Sequence, residues 1–437
     1  MFLSETDRIN AQLLQSAPLT LRELAERDIT RFYASPKRRD MLTGERYYRG
    51  EHDILRRKRT AIGEGGKMTE LDNLPNNRVV NNLYRLLVDQ KVNYLLGKPV
   101  TLRCEDKRVE KKLKGCLNRN FFRVLKNVGE DALNCGLGWL YIYFGEDGKA
   151  HFKRFRPFEV IPAWSDSEHT ELDYAVRLYS VICYEGKRER VERRAEVYTA
   201  EGVQRYRLDG ARLIETEPFK PYCTIGGNGF GFGKIPLVPF KYNSKEIPLI
   251  KNVKTLQDGL NSLMSDFQNC MEEDVRNTIL VIKNYDGEDL GQFRKNLSAY
   301  GAVKVKTVDG SQGGVETLTI DVNAENYKTI ISIFKRAIIE NGRGYDAKDD
   351  RLSGNPNQMN IMSMYNDIDI DATGMETEFA AALEQVLALV CCGDMPGVEL
   401  TFNRSMIMNE SELIDNIIKS KGLVDEEVLR AKHPWVR

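Results

Sequence analysis

Apolar residues along this chain change their spacing several times, and each change marks an element. A first helix is predicted over Leu19–Tyr33, stopped near Pro36 because proline cannot continue a helix. A polar, basic stretch follows, with Arg56-Arg57-Lys58-Arg59 and the glycines Gly63, Gly65 and Gly66. It has no hydrophobic period and reads as a mobile loop, solvated or in contact with nucleic acid. Val79, Val80, Leu83, Leu87 and Tyr94 then recur at helical spacing, Gly97 offers a left-handed cap and Pro99 bars continuation. A helix Phe121–Cys135 carries Phe122, Leu125, Val128 and Ala132 on one face. After Gly136 and Gly138 the period shortens. Trp139–Phe144 and Ala150–Phe155 flank a Gly145-Glu146-Asp147-Gly148 turn, a hairpin signal, and Tyr174–Ile214 reads as a β-meander. Gly226–Gly233 is a Gly-rich loop before the extended Ile235–Tyr242.

The most informative pattern begins at Pro248. Leu249, Val253, Leu256, Leu260, Leu263, Phe267, Met271 and Val275 keep a spacing of three or four. A helix over Leu249–Arg276 would be ~42 Å long, well beyond the usual globular helix. A small α/β insert follows, with strands predicted at Ile279–Ile282, Ala302–Thr307 and Val315–Ile320. A second amphipathic helix, Ala324–Asn341, puts Tyr327, Ile330, Ile331, Phe334 and Ile338 on its apolar face. Two helices bracketing a compact insert describe a projecting arm with a small domain at its tip. A lone arm cannot bury both helix faces, whereas copies packed side by side in a ring can. Gly342 and Gly344 end the second helix, and Tyr345–Asn360 reads as a polar loop. A further helix is predicted over Thr377–Val390, then a strand Val398–Phe402 and short helices Ser411–Lys421 and Asp425–Lys432.

Length and charge narrow the classes. At 437 residues with 41% hydrophobic content there is material for two or three cores. Lys plus Arg equals Asp plus Glu at 64 each, which argues against a dedicated DNA-binding domain but does not exclude a protein that must let DNA slide past. Met1–Asn10 already carries Glu5, Asp7 and Arg8, so no signal peptide is read there. The most apolar stretch, Phe379–Cys392, is interrupted by Glu384 and Gln385 and is too short to span a bilayer. Eight cysteines without a CxxC pair read as reduced thiols, and the adjacent Cys391 and Cys392 as small core residues.

Several stretches together resemble the portal family of long-tailed phages of Gram-positive bacteria. They are Tyr47-Tyr48-Arg49-Gly50-Glu51-His52-Asp53-Ile54, the run Asn76-Asn77-Arg78-Val79-Val80-Asn81-Asn82 continuing through Val88–Val100, Arg156-Pro157-Phe158-Glu159-Val160-Ile161-Pro162, and Gly422-Leu423-Val424-Asp425-Glu426-Glu427-Val428-Leu429. Their order along the chain makes the match. The resemblance implies an α+β portal fold with a mixed α/β wing, a two-helix stem, a small α/β clip and a helical crown. Mapped here, the wing is 1–243, the first stem helix 244–276, the clip 277–323, the second stem helix 324–344, the tunnel loop 345–360, a wing/crown connection 361–376, and the C-terminal wing helix and crown 377–437.

It further implies a dodecameric homo-oligomeric ring at one capsid vertex, with duplex DNA passing through its channel in packaging and ejection. Implied partners are the terminase large subunit and a head-completion adaptor on the clip, and scaffold and major capsid proteins around the ring, with assembly in the host cytoplasm and no membrane. The tunnel loop would offer Arg343, Lys348, Asp349, Asp350, Arg351, Ser353, Gly354, Asn355 and Asn357. With three cations against three anions, counting Asp346, it would touch DNA by size and transient contact without reading bases; plain solvation of a loop is the alternative. Lys251, Lys254, Lys328, Lys335 and Arg336 would face the lumen or bridge neighbouring subunits. The clip's docking surface would hold Lys283, Tyr285, Asp286, Arg294, Lys295, Lys304 and Lys306.

Competing chemistry is weaker. Asp367, Asp369 and Asp371 with Glu378 imitate the spacing of a calcium-binding loop, but Ala372 stands where the turn needs glycine, and alternating Asp and Ile also suits an extended piece before a helix. No cofactor is expected. Gly227–Lys234 lacks the dinucleotide spacing, and Ile235 follows Lys234 where a phosphate loop needs Ser or Thr. His52, His151, His169 and His433 are far apart and read as surface or packing residues, and no GxSxG, HExxH or cysteine-nucleophile signature is present. The alternative to a portal is a metal-dependent hydrolase using the Asp367–Asp371 cluster.

Overall fold

A computed structural model describes residues 19–62, 68–70, 74–145, 148–225, 228–274, 279–283, 314–318, 324–346, 358–391, 393, 397–404, 410–431 and 433. In chain order the elements are α1 (Leu21–Ala34), α2 (Pro36–Tyr48), β1 (Thr60–Ile62), β2 (Met68–Glu70), α3 (Leu83–Leu96), β3 (Thr101–Cys104), α4 (Lys107–Cys116), α5 (Arg119–Cys135), β4 (Leu137–Phe144), β5 (Ala150–Phe155), β6 (Val160–Trp164), β7 (Leu172–Glu185), β8 (Arg188–Tyr198), β9 (Gly202–Asp209), β10 (Arg212–Glu215), β11 (Lys220–Pro221), β12 (Cys223–Ile225), β13 (Asn228–Phe230), β14 (Leu237–Lys241), α6 (Ile250–Asp274), β15 (Ile279–Lys283), β16 (Gly314–Leu318), α7 (Ala324–Asn341), α8 (Gln358–Cys391), β17 (Val398–Thr401), α9 (Glu410–Lys419) and α10 (Glu426–Ala431). They fall into two compact units. The first is Met1–Glu51, Asn82–Lys254 and Ala337–Arg437; the second is His52–Asn81 and Thr255–Arg336.

The first unit is an α+β body. The expected meander is the antiparallel run β6-β7-β8-β9-β10, with β11 on β9. The Gly145–Gly148 hairpin pairs β4 with β5, and β14 adds to β4's other edge. Both faces of β4 are covered around Trp139, which stacks on Trp164 at 5.7 Å, among Phe155, Val176, Ala195 and Val197. Burying such a ring is worth about 3 kcal/mol. A smaller cluster of Leu102, Leu113 and Leu387 ties β3 and α4 to α8.

Several expectations are corrected here. Helix α1 stops at Ala34, ahead of Pro36 as expected, but Pro36 also opens α2, which was not expected: Ser35 Oγ accepts from Arg38 N, and a proline in the first turn lacks only an amide that has no helical partner anyway. Helix α3 starts at Leu83, because Asn82 caps it through Arg85 N, which leaves Val79 and Val80 outside. Gly97 ends that helix at φ −71°, in the right-handed region. The Gly-rich stretch 226–233 is part strand, since β13 pairs with β12.

The largest correction concerns α8, which begins at Gln358 and covers 361–376 as helix. Ile361, Met364, Ile368, Ala372, Met375 and Phe379 are buried at helical spacing while Ile370 is exposed, so the Asp/Ile alternation coincides only locally with a period of two. Neither a calcium loop nor an extended piece forms there.

Two non-glycine residues take left-handed backbone, His169 between β6 and β7 at φ 57° and Glu246 between β14 and α6 at φ 53°. The His169 ring stacks on Trp164 at 4.8 Å, and its Nδ1 bonds the Glu246 carboxylate at 2.6 Å, which also pairs with Lys37. Burial works against the Glu246 charge, but the bonds from His169 and Lys37 outweigh it and hold the carboxyl down at about 2. Gly136, at φ 90°, lets the backbone pass against the Glu246 carbonyl, where a Cβ would overlap it.

In the second unit, α6 and α7 run antiparallel. The Phe334 ring lies 2.6 Å from where a Cβ on Gly259 would sit, and Phe267 meets Tyr327 at 5.0 Å. Strands β15 and β16 pair between them, and the strand expected at 302–307 lies outside the described residues. Of the basic stretch expected to be a mobile loop, Arg56 and Thr60–Ile62 take regular structure, while Gly63, Gly65 and Gly66 lie outside the described residues. A short helical turn spans Asp53–Arg56 and β1 pairs with β2. The cations find partners: Arg57 on Asp266, Lys58 on Glu70 at 2.8 Å, and Arg59 on the Pro75 carbonyl at 2.6 Å.

Candidate functional site

In the first unit the residues after α7 are fastened to α3. Arg343 N donates to Glu340 O and Gly344 N to Ile339 O, the paired bonds of a helix end whose left-handed position is usually glycine. Here Arg343 fills it at φ 48°. The buried Lys91 donates to the Arg343 carbonyl at 3.0 Å and to Asp371 at 2.7 Å, and Tyr242 Oη donates to the same carboxylate at 2.9 Å. Gln90 donates to the Tyr345 carbonyl at 2.8 Å, and the Tyr345 ring lies tilted against Tyr365 of α8 with centroids 4.8 Å apart. Burial holds the Lys91 ammonium below the usual lysine range, and Asp371 opposes part of that shift. This amine holds a backbone carbonyl and a carboxylate at once, so it fixes the backbone at Arg343, directly after α7.

The aspartates that imitate a cation loop serve this framework. Asp371 meets Lys91 and Tyr242, while Asp369 accepts from Tyr94 Oη at 2.7 Å and pairs with Arg404, which also reaches Glu376 at 2.6 Å. Among the described residues no group of three or more histidines, cysteines or acids is placed to hold a metal ion.

The second unit contains a polar ladder. Gln257, Asn261, Ser265 and Asn269, four apart on α6, are all buried. Gln257 Nε2 donates to Asn81 O at 2.7 Å, Asn81 N to Asn261 Oδ1 at 3.0 Å, Val79 N to Ser265 Oγ at 2.9 Å, and Asn77 N to Asn269 Oδ1 at 2.7 Å. Four helical residues advance ~6.0 Å and two extended ones ~6.6 Å, so each turn of polar side chains meets every second residue of the extended segment. Asn261 Oδ1 also accepts from Gln257 Nε2, leaving Nδ2 to donate to His52 Nδ1 at 2.8 Å. That assigns the other ring nitrogen of His52 as the protonated one.

The residues singled out from the sequence are placed as follows. Arg343 is the left-handed residue at the loop root, and Lys348, Asp349, Asp350, Arg351, Ser353, Gly354, Asn355 and Asn357 lie outside the described residues. Lys251 pairs with Asp40 at 3.1 Å, and Lys254 lies over the Tyr47 ring at 5.1 Å. Lys328, Lys335 and Arg336 are exposed on α7. Lys283 ends β15 opposite Gly314, and Tyr285, Asp286, Arg294, Lys295, Lys304 and Lys306 lie outside the described residues. Sequence reasoning missed Gln90, Lys91 and Tyr242, which no local spacing links to Asp371. It also passed over the ladder, whose one signal is the spacing of four.

Among the described residues no helix is long and apolar enough to cross a membrane. The chain is 27% identical to the portal protein of Bacillus phage SPP1 over 455 residues, covering 99% of this chain and 88% of that protein. It is 27% identical to the portal protein of Clostridium phage phiCD119 over 418 residues, covering 92% and 90%. A solved structure described as the neck of a native GTA particle computed with C12 symmetry matches with a TM-score of 0.45 at 12% identity, covering 81% of this chain and 90% of that one. The family model described as phage portal protein, SPP1 Gp6-like, matches residues 35–437, both units included, and the chain belongs to that family of phage portal proteins.

Proposed function

We propose that twelve copies close head-to-tail into a ring at one capsid vertex, and that its channel carries duplex DNA in during packaging and out at ejection. The observation that carries this reading beyond the family match is the uncovered apolar surface of the second unit. Ile330 and Ile333 on α7 are 40% and 59% exposed, and Met271 on α6 is 48% exposed. Apolar side chains left exposed on both helices fit an interaction surface, and a repeated copy covers them around a closed ring. In this reading 244–276 and 324–344 are the stem, 277–323 is the clip that receives the terminase large subunit and later a head-completion adaptor, and 345–360 is the tunnel loop. The wing is 1–243, and 377–437 supplies the crown. The chain performs no catalysis and takes no cofactor; packaging energy comes from the motor. Scaffold and major capsid proteins surround the ring, which assembles in the host cytoplasm.

Native mass spectrometry with negative-stain imaging tests this. Rings of about a dozen subunits with a central hole are expected, and Ile333→Asp is expected to break them into monomers. A wild-type protein that stays monomeric or dimeric would overturn the reading. For the loop, a deletion within 347–357 should still form rings yet package or retain less DNA, and normal packaging would remove its proposed role.

A further inference from the structure

The 64 cations and 64 anions of the chain are not evenly mixed. Between Lys107 and Lys126 stand eight lysines and arginines and one acid, Glu110. Of the two acids just upstream, Asp106 is engaged as the cap of α4, accepting from Arg108 N at 2.7 Å. Packing decides where the charge goes. Leu113 is buried against Leu102 and Leu387, and Phe121 and Leu125 are buried on α5, so the opposite helix faces carry cations into solvent. On α4 these are Lys107, Lys111 and Lys114, and on α5 Arg119, Arg123 and Lys126, all exposed. Each set follows the i, i+4, i+7 pattern and forms a stripe ~10 Å long.

Few of these charges are neutralised. Lys114 pairs with Glu110, while Arg123 and Lys126 reach only the neutral amides Asn120 and Asn93. Lys107, Arg108, Lys111 and Arg119 have no ion pair among the described residues. Like charges four apart on a helix destabilise it, so the stripes weaken α4 and α5 until an anion arrives. The exposed neighbours are the acids Glu105 and Asp106 at the start of α4, then Gly115, Asn118 and Asn120, and no large exposed apolar side chain occurs between Leu86 and Tyr143 among the described residues. A protein partner needs apolar anchors in the centre of its interface. A phosphate backbone needs cations and small polar donors.

We infer that the surface of α4 and the first half of α5 is a second duplex-DNA site, gripping the phosphate backbone without reading bases and outside any threaded path. It goes beyond the channel reading and stands without it. The test uses the assembled full-length protein and relaxed, covalently closed circular duplex, which cannot thread a closed ring. Binding is followed from about 50 to about 200 mM salt, where four phosphate contacts imply an affinity loss of about a hundredfold. The variant K107Q/K111Q/R119Q/R123Q is expected to flatten the log–log salt slope by about 3 to 4, while the charge-keeping K107R/K111R binds like wild type. The site is overturned if wild type fails to hold the circle at low salt, if the glutamine variant keeps the wild-type slope, if the arginine variant loses binding as far as the glutamine one, or if polyglutamate of equal charge displaces the circle as well as DNA does. Native mass spectrometry of the same samples reports ring formation separately, so absence of rings sinks the portal assembly and leaves this measurement intact.

Discussion

Around Trp139 and along the row from Gln257 to Asn269, the chain meets one requirement with opposite materials. Backbone must be held in a single register. In the first unit this is done by apolar volume: Trp139, Trp164 and Phe155 fill the space between β4, β5 and β6, and shape decides the fit. In the second, four buried polar side chains supply hydrogen bonds to Asn77, Val79 and Asn81, and direction decides the fit. An apolar core tolerates exchange of one hydrophobic residue for another of similar size. A polar ladder does not tolerate loss of a rung, because the partner amide stays buried without a bond. The first arrangement should therefore fail in proportion to volume removed, and the second in proportion to bonds orphaned.

The largest effect is expected at Trp139. Trp139→Ala should destabilise the first unit by about 4 kcal/mol, read as a lower midpoint of denaturant unfolding, while Trp139→Phe recovers much of the loss. If the phenylalanine variant is as unstable as the alanine one, volume is not what holds this core.

These two arrangements differ in the same way in how far the sequence disclosed them. The strands β4 and β5 around Trp139 announce themselves by the Gly145-Glu146-Asp147-Gly148 turn between two strand-like runs. The antiparallel α6/α7 pair was legible from apolar residues at spacings of three and four, and the bounds of α7 agree with expectation. The ladder was hidden because Gln, Asn and Ser on an amphipathic helix look like a solvated face, and nothing local says that the extended segment 77–81 covers them. For the same reason α3 was started too early: Val79 and Val80 continue its apolar period, yet the Val79 amide is taken by Ser265. The loop root was half legible. Gly342 and Gly344 marked a helix end, but the left-handed residue between them is Arg343, and its clamp, Lys91, lies far away in sequence. Charge misled most, since a balanced total conceals the segregated run from Lys107 to Lys126.

A charged contact inside the apolar unit sharpens the comparison. Glu246 is depressed to about 2 by His169 and Lys37. A depressed carboxyl stabilises above its unfolded value, near 4.5, and that stability is lost as pH falls toward about 2. Glu246→Gln should therefore cost about 3 kcal/mol at neutral pH and progressively less between pH ~4.5 and ~2. Unfolding midpoints of both proteins across that range check it. A gap that stays constant with pH would mean that His169 and Lys37 do not act through the charge.

In the second unit, Asn261→Leu keeps the volume and removes the bonds. It orphans the Asn81 amide, Gln257 Nε2 loses one of its two acceptors, and His52 Nδ1 loses its Asn261 donor. A loss of about 2 kcal/mol is expected, seen as faster hydrogen exchange across 76–82. A neutral or stabilising result would mean that the ladder region behaves like an ordinary apolar core.

The smallest rung separates the two materials most cleanly. Ser265 Oγ accepts from Val79 N and donates to Asn261 O. Ser265→Ala removes both bonds but leaves little empty volume, so the volume rule predicts almost nothing. Alanine is also the better helix former, by about 0.5 kcal/mol, which pushes toward stabilisation. Against this stands one orphaned buried amide, at about 1 to 3 kcal/mol. The balance is a loss of about 1 kcal/mol, or about fivefold faster exchange at the Val79 amide, with amides around Trp139 unchanged. An unchanged rate at Val79 would place the segment's register with its side chains, and the second unit would then be held as the first is.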